Sequence, residues 1–414
     1  MRQHTHLKVS MHGQPVGELL AVDGQLYFTY HSSWLECGYN LSPLNMDNDG
    51  KPQQAKDLQV YSGLHGAFAE SLPDAWGMLL MDRFFRLAFD LSPRQITPLD
   101  RLAYIADRGM GALEYSPIVE RVEEGGYLSL ETLHRESQQV MAGGTEATLD
   151  ALRLAGGSPG GARPKVIVAL SEDLEHCTSV YHNAPAGMGQ WIVKFRAPGD
   201  DAETGAVEYA YSVLAKQAGL EMADCELIST GQGAERERFF ATRRFDRLLG
   251  GAKVHMMTAA GILYANHQQP ELDYADLMAL TSTVTKSAGQ VERMARLMVF
   301  NALFHNHDDH AKNFAFVRGA DGWLLAPAYD LTYAPLQSRH TDEHFTSFKG
   351  RGLATYQLIK SICAPYKYLD VDRLINDVMG ALEAWPALCD DLNISKHMKT
   401  TVRRSMDQNR ARFE

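Results

Sequence analysis

Residues 313–326 constrain the fold more than any other stretch, because they describe a tight hairpin between two polar residues. Asn313-Phe-Ala-Phe-Val317 alternates like a strand, Arg318-Gly-Ala-Asp-Gly322 is a turn, and Trp323-Leu-Leu-Ala326 returns as a second strand. A hairpin brings its ends together. Asn313 and Asp330 are therefore expected side by side at the open end, as two oxygen ligands on one hard cation require. Asp308 precedes Asn313 by five residues. An acid followed by Asn at that spacing is the arrangement of a phosphoryl-transfer catalytic loop, where the acid orients the attacking hydroxyl and the Asn side chain holds magnesium. Asp309 is the adjacent alternative for the acid, and the five-residue step favours Asp308. A single Asp or Asn beside a turn is more often a cap, so the trio carries the signal. Lys312 falls in the same segment, and His310 reads either as an orienting residue or as a satisfied structural histidine.

The nucleotide half of such a site needs a phosphate cradle, a cationic anchor and a carboxylate that orients the anchor. Ser158-Pro-Gly-Gly-Ala-Arg-Pro-Lys165 is a glycine-containing turn leading into the strand Val166–Leu170, and backbone N–H groups at Gly160, Gly161 and Ala162 could face phosphate oxygens. The turn is neither a Walker A loop nor Gly-x-Gly-x-x-Gly, and a ligand-free hairpin is its ordinary reading. Lys194 lies inside the apolar strand Gln190–Phe195, an unusual place for a solvated lysine. The helix expected over 204–218, stopped by Gly219, places Glu208 where it could meet Lys194 while Val207, Ala210, Leu214 and Ala218 pack inward. Phe239–Arg247 reads as a buried strand ending in a charged connector, the position of an adenine-binding hinge. Arg243, Phe245, Asp246 and Lys165 are grouped with this half.

With 414 residues, 45% hydrophobic and 22% charged, the chain has the composition of a multidomain globular protein. A net charge of −11 argues against a large surface gripping nucleic acid, which needs a basic footprint. Cys37, Cys177, Cys225, Cys363 and Cys389 are scattered, without a Cys-x-x-Cys pair, and are expected as reduced thiols. The first residues lack the apolar run of a signal peptide and no stretch approaches a membrane span, so a cytoplasmic protein without membrane contact is expected. Small antiparallel strands are expected over 6–30, and a helix over 78–87 with Leu79, Leu80, Phe84 and Leu87 on one apolar stripe. A linker is expected around 125–148. From 149 onward the order of strands, helix, catalytic segment, hairpin and helices is what a two-lobed kinase fold needs. The expected domains are 1–125, 149–248 (nucleotide-binding) and 249–414 (helical and catalytic), and the fold class is α+β.

Together these residues resemble the HipA family of bacterial serine/threonine kinase toxins over nearly the whole chain. Asn306-His-Asp-Asp-His-Ala-Lys-Asn-Phe314 is similar to that family's catalytic segment, Ala328-Tyr-Asp-Leu331 to its metal-binding segment and Arg244-Phe-Asp-Arg247 to its hinge. Leu72-Pro-Asp-Ala-Trp76 and Gly109-Met-Gly-Ala-Leu113 resemble its N-terminal domain. The resemblance implies ATP and Mg2+ as cofactors, Asp308 as catalytic base, Asn313 and Asp330 as magnesium ligands, Lys194 as phosphate anchor, and adenine on the backbone of Arg243 and Phe245. It also implies autophosphorylation at Ser158 that ejects the glycine loop, although Pro159 and Arg163-Pro164 depart from the commoner family wording and stiffen it. A translation component such as an aminoacyl-tRNA synthetase is the implied substrate. A HipB-like DNA-binding antitoxin is the implied partner, so that DNA is reached only indirectly. The alternatives are a small-molecule kinase of the aminoglycoside or sugar type and a non-catalytic co-repressor scaffold.

Overall fold

The structure, a computed structural model, describes residues 3–119, 126–143, 152, 161, 163–180, 187–231, 233, 236–248, 250–335 and 342–414. It is α+β and divides into two compact units. The first comprises Met1–Asp200, Ile228–Met257 and Gly261–Tyr264; the second comprises Asp201–Leu227, Thr258–Ala260 and Ala265–Glu414.

The first unit opens with strands β1 (His6–Met11), β2 (Gln14–Val22) and β3 (Gln25–Tyr30), joined by β4 (Glu114–Ser116) in the antiparallel order β3-β2-β1-β4. Alternation buries Leu7, Val9 and Met11 on one face of β1. The β2–β3 turn is Asp23-Gly24 with φ of 50° and 77°, the positive values that a two-residue hairpin turn requires. The helix Ala75–Phe89 follows, and its stripe differs from expectation: Met81, Phe84 and Phe85 are buried with Ile96 and Ile105, whereas Leu87 is 41% exposed. Spacing of i, i+3 and i+4 from Met81 selects the face that meets Ile105, and Leu87 lies off it.

A second sheet is built from β5 (Lys165–Leu170), β6 (Cys177–Thr178), β7 (Gly189–Lys194), β8 (Cys225–Thr230) and β9 (Glu237–Arg243), in the order β6-β5-β7-β9-β8. One face packs Val166, Val168, Trp191, Val193, Phe239 and Ala241 into a common core. The expected linker around 125–148 contains a helix, Leu130–Met141, whose Leu130, Leu133 and Val140 enter that core. Ser129 caps it by accepting from the Thr132 N–H, and the apolar residues recur at helical spacing inside a polar sequence, a pattern that the flanking glycines obscured.

In the second unit the helix Thr204–Gln217 buries Val207, Ala210 and Leu214 and ends with Gly219 at φ 79°, as read from the sequence. The helices Tyr274–Thr285 and Ala288–Leu303 pack beside the hairpin Ala315–Arg318 and Trp323–Leu325. Helices Tyr356–Cys363, Val371–Leu382, Trp385–Asp391 and Lys396–Arg410 complete it. Among the described residues no helix is long and apolar enough to cross a membrane. Cys177, Cys225, Cys363 and Cys389 are buried thiols.

Candidate active site

The long helix Ala288–Leu303 delivers the chain to the catalytic segment, and His305, in the left-handed region at φ 57°, turns it out of the helix. Two neighbouring aspartates then take opposite roles. Asp309 is fully buried and accepts from Tyr274 Oη (2.6 Å), His344 Nδ1 (2.8 Å) and the backbone N–H of Phe345 (2.9 Å) and Thr346 (3.0 Å). The Thr346 hydroxyl donates to its carbonyl. Tyr274 in turn accepts from Asn301 Nδ2, whose Oδ1 accepts from Asn306. The network runs from two helices, through Tyr274 and Asn301, by way of Asp309 to the 344–346 segment. Asp308, one residue away, is exposed. Of the two candidates that the spacing left open, Asp308 is the exposed one and Asp309 the buried one.

Asn313 is nearly buried, and its Nδ2 donates to the Asp308 carbonyl at 2.7 Å. With its nitrogen so committed, the carboxamide oxygen is the atom that a cation would take. The hairpin pairs Phe316 with Leu325 and Arg318 with Trp323, and Ala326 N–H donates to the Ala315 carbonyl at 2.8 Å. Below that pair the Tyr329 hydroxyl donates to the Lys312 carbonyl, tying the residue before Asp330 to the residue before Asn313. Asp330 itself is partly buried with φ 56°. The hairpin carries the Asn313 carboxamide and the Asp330 carboxylate toward the same open end, and oxygen donors of these two kinds are ones that could hold Mg2+. His310 packs edge-on to Phe345, with ring centroids 6.0 Å apart, and its carbonyl accepts from Asn313 N–H at 2.8 Å, a positioning contact made by its backbone.

Upstream of Asp308 lies a cluster that sequence reading missed. His305 Nε2 and His307 Nδ1 meet the two oxygens of Asp342 at 2.7 and 2.8 Å, and His307 packs on His344 with centroids 4.1 Å apart. Burial pushes both imidazoles down, His307 to about 3 with help from His344 and His305. Asp342 is held below the usual carboxylate range because the two histidines outweigh its partial burial. The His-x-His spacing was legible; its partner, thirty-five residues on, was not.

In the first unit, Lys165 and Lys194 are direct partners in the β5–β7 register, with Ile167 opposite Ile192 on the same face. That face lies away from the apolar core. Like charges directly opposite each other disfavour a sheet pair unless anionic groups lie near, whether protein carboxylates or a polyphosphate. Lys194 Nζ sits 5.6 Å from the Phe240 ring centroid. Gly161, at φ 105°, donates its N–H to Asp74 Oδ2 at 3.1 Å, and a Cβ there would collide with Lys165 Nζ. Ser158, Gly160 and Ala162 lie outside the described residues. Glu208 is buried on the helix Thr204–Gln217 of the second unit.

Arg243 closes β9, and Phe245, partly buried, follows it into the turn. Asp246 does not offer a face to a nucleotide. It is fully buried, bonded to Arg244 Nη2 (2.7 Å), Arg247 Nη1 (2.8 Å) and the Gly111 N–H (2.7 Å). The two arginines also donate to the Gly109 carbonyl at 3.0 and 2.9 Å. Burial alone would raise the Asp246 carboxyl, but Arg244 and Arg247 bring it down to about 2. Arg247 is pulled to about 10 by burial and by Arg244, and at neutral pH it remains cationic. Asp246 is thus a buried ionic anchor joining the turn after β9 to the 109–111 loop.

A model of the HipA-like C-terminal domain matches residues 157–404, and a model of the HipA N-terminal domain matches residues 7–116. Among solved structures, the chain is similar to one from the complex of the Shewanella oneidensis MR-1 toxin–antitoxin system HipA, HipB and its operator DNA. That similarity has a TM-score of 0.70 at 16% identity and covers 98% of this chain and 96% of that one. The Helicobacter pylori proinflammatory kinase CtkA is matched at a TM-score of 0.37 and 12% identity, over 56% of this chain and 89% of that one, too loosely to bear on the fold. No curated protein matches. Since the C-terminal domain model alone spans more than half of the 414 residues, the chain belongs to the HipA family.

Proposed function

We propose that this chain is an ATP- and Mg2+-dependent kinase, a HipA-like toxin that phosphorylates a serine or threonine of a protein. The observation that carries the reading is the division between the two aspartates. Asp309 is consumed by the buried network, while Asp308 is exposed beside Asn313 and the Tyr329–Asp330 segment. Asp308 positions the substrate hydroxyl and accepts its proton as the oxygen attacks phosphorus. Asn313 and Asp330 hold Mg2+, which when bound offsets the charge of the phosphates. Lys194, with Lys165 opposite, presents ammonium groups suited to a polyphosphate.

The solved Shewanella relative is a complex of HipA with HipB and operator DNA, and a HipB-like antitoxin is the partner proposed here. The substrate is proposed to be a component of translation, such as an aminoacyl-tRNA synthetase, and Ser158 to be the self-phosphorylated switch. Purified Asp308→Ala and Asp330→Ala chains test the chemistry. Incorporation of labelled phosphate from ATP, with intact mass read for an adduct on Ser158, is expected in the wild type and absent from both variants. Transfer at the wild-type rate by either variant refutes the residue assignment. Stabilisation by ATP with no transfer in the wild type would favour the non-catalytic scaffold.

A further inference from the structure

The cluster upstream of the catalytic segment has the donors and the geometry of a second cation site. His305 and His307 lie two apart where the chain turns out of the helix, and hydrogen bonds between the 305–307 and 334 backbones hold it there. Their rings are 3.8 Å apart, so both imidazoles project to one side. Each directs one nitrogen at the same carboxylate: His305 Nε2 lies 2.7 Å from Asp342 Oδ2 and His307 Nδ1 lies 2.8 Å from Asp342 Oδ1. The three ligand atoms all lie within 4.8 Å of one another. Tetrahedral bonds of about 2.0 Å place neighbouring ligand atoms roughly 3.3 Å apart, so an ion fits after small outward shifts of the Asp342 side chain.

The surroundings are those of a built site. Both histidines are buried, whereas Asp342 is 46% exposed and offers an entry path from solvent. His305 is stacked on Tyr333 (5.4 Å between centroids), and its Nδ1 meets the Asn409 amide at 3.2 Å, which fixes the ring. His307 is wholly buried, and its Nε2 has no hydrogen-bond partner among the described residues. The nitrogen that faces Asp342 is Nδ1, and the convergence of that atom with His305 Nε2 and the Asp342 carboxylate is what marks the site.

We propose that His305, His307 and Asp342 form a binding site for a Zn2+-class divalent cation that clamps the catalytic segment onto the 342–346 segment. Two imidazoles and a carboxylate, with one position left to water, are the donors of zinc and cobalt. Mg2+ prefers oxygen and would stay with Asn313 and Asp330. The coupling is short: His307 adjoins Asp308, and it packs on His344, which bonds to Asp309. The clamp rests on no part of the phosphotransfer reading.

The test titrates the chelator-stripped full chain with Co2+ in excess Mg2+. One equivalent should bind with visible d–d bands of a nitrogen-ligated tetrahedral ion, be displaced by Zn2+, and raise the Tm. Asp342→Ala, altering a half-exposed side chain, should keep its fold by circular dichroism and lose affinity by more than the roughly 10–100-fold that an outer-shell change costs. His305→Ala should behave likewise, and Asp330→Ala should retain the bands. Absence of the bands in wild type, or their persistence in folded Asp342→Ala, overturns the proposal. Loss in Asp330→Ala alone would place the ion at the other site and overturn it equally.

Discussion

Asp308 and Asp309 show how little chemical identity decides at the residue scale. Replacing Asp309 with Ala would leave the Tyr274 hydroxyl, the His344 ring and two backbone N–H groups unsatisfied. Each buried orphan costs about 1–3 kcal/mol, so Asp309→Ala should lose at least ~3 kcal/mol in urea denaturation. Asp308→Ala should stay within ~0.5 kcal/mol of wild type while abolishing phosphate transfer. Equal stability losses would contradict the division of roles. His65 supplies a pH signature. It is fully buried against Phe28 and Phe68, and burial lowers its pKa to about 4. The unfolded histidine takes a proton near pH 6.5 and the folded one only near 4, so the contribution to stability is constant above 6.5. It falls at up to ~1.4 kcal/mol per pH unit as pH drops from 6.5 to 4. Denaturant midpoints for His65→Leu should decline less than those of wild type across that window; parallel curves would assign the titration elsewhere.

Elements make sites by register. In β5 and β7 the pairing of Lys165 with Lys194 sets two ammonium groups on one face, a consequence of strand alignment that neither strand shows alone. If that face serves the phosphates, ATP with Mg2+ at 100 times its Kd should stabilise the wild type by about 2.7 kcal/mol. The thermal shift should largely vanish in Lys194→Ala, and an undiminished shift would remove the anchor role. The turn after β9 depends on a different principle. Asp246→Ala would leave Arg244 and Arg247 buried without their carboxylate, a loss of roughly 3–5 kcal/mol measured by denaturation. A loss under ~1 kcal/mol would mean that water or backbone takes its place.

For the whole molecule, charge sets the expected mode of DNA contact. A net charge of −11 disfavours the counterion-releasing contact that drives affinity for duplex DNA. The chain by itself should not retard an operator fragment near physiological salt, and addition of a HipB-like partner should produce a shifted complex containing both proteins. Salt-sensitive retardation by the chain alone would refute an indirect role for DNA.

Local patterns were legible because they obey short-range rules. Alternation and Asp23-Gly24 specified the first hairpin, helical spacing specified 288–303, and the turn at 318–322 specified the hairpin beneath Asn313. The helix at 130–141 was hidden by glycine-rich flanks, and the stripe of 75–89 was misjudged because its partner Ile105 lies on another element. Sequence spacing also proposed Asp308, Asn313 and Asp330, and the structure sets Asn313 and Asp330 at the open end of the hairpin. Tertiary structure alone decided which aspartate is buried, that Asp246 is an anchor without an exposed face, and that Asp342 returns to His305 and His307. Burial and ion pairing are properties of chain segments brought together from far apart, and a single strand of sequence holds no record of which segment its side chains will meet.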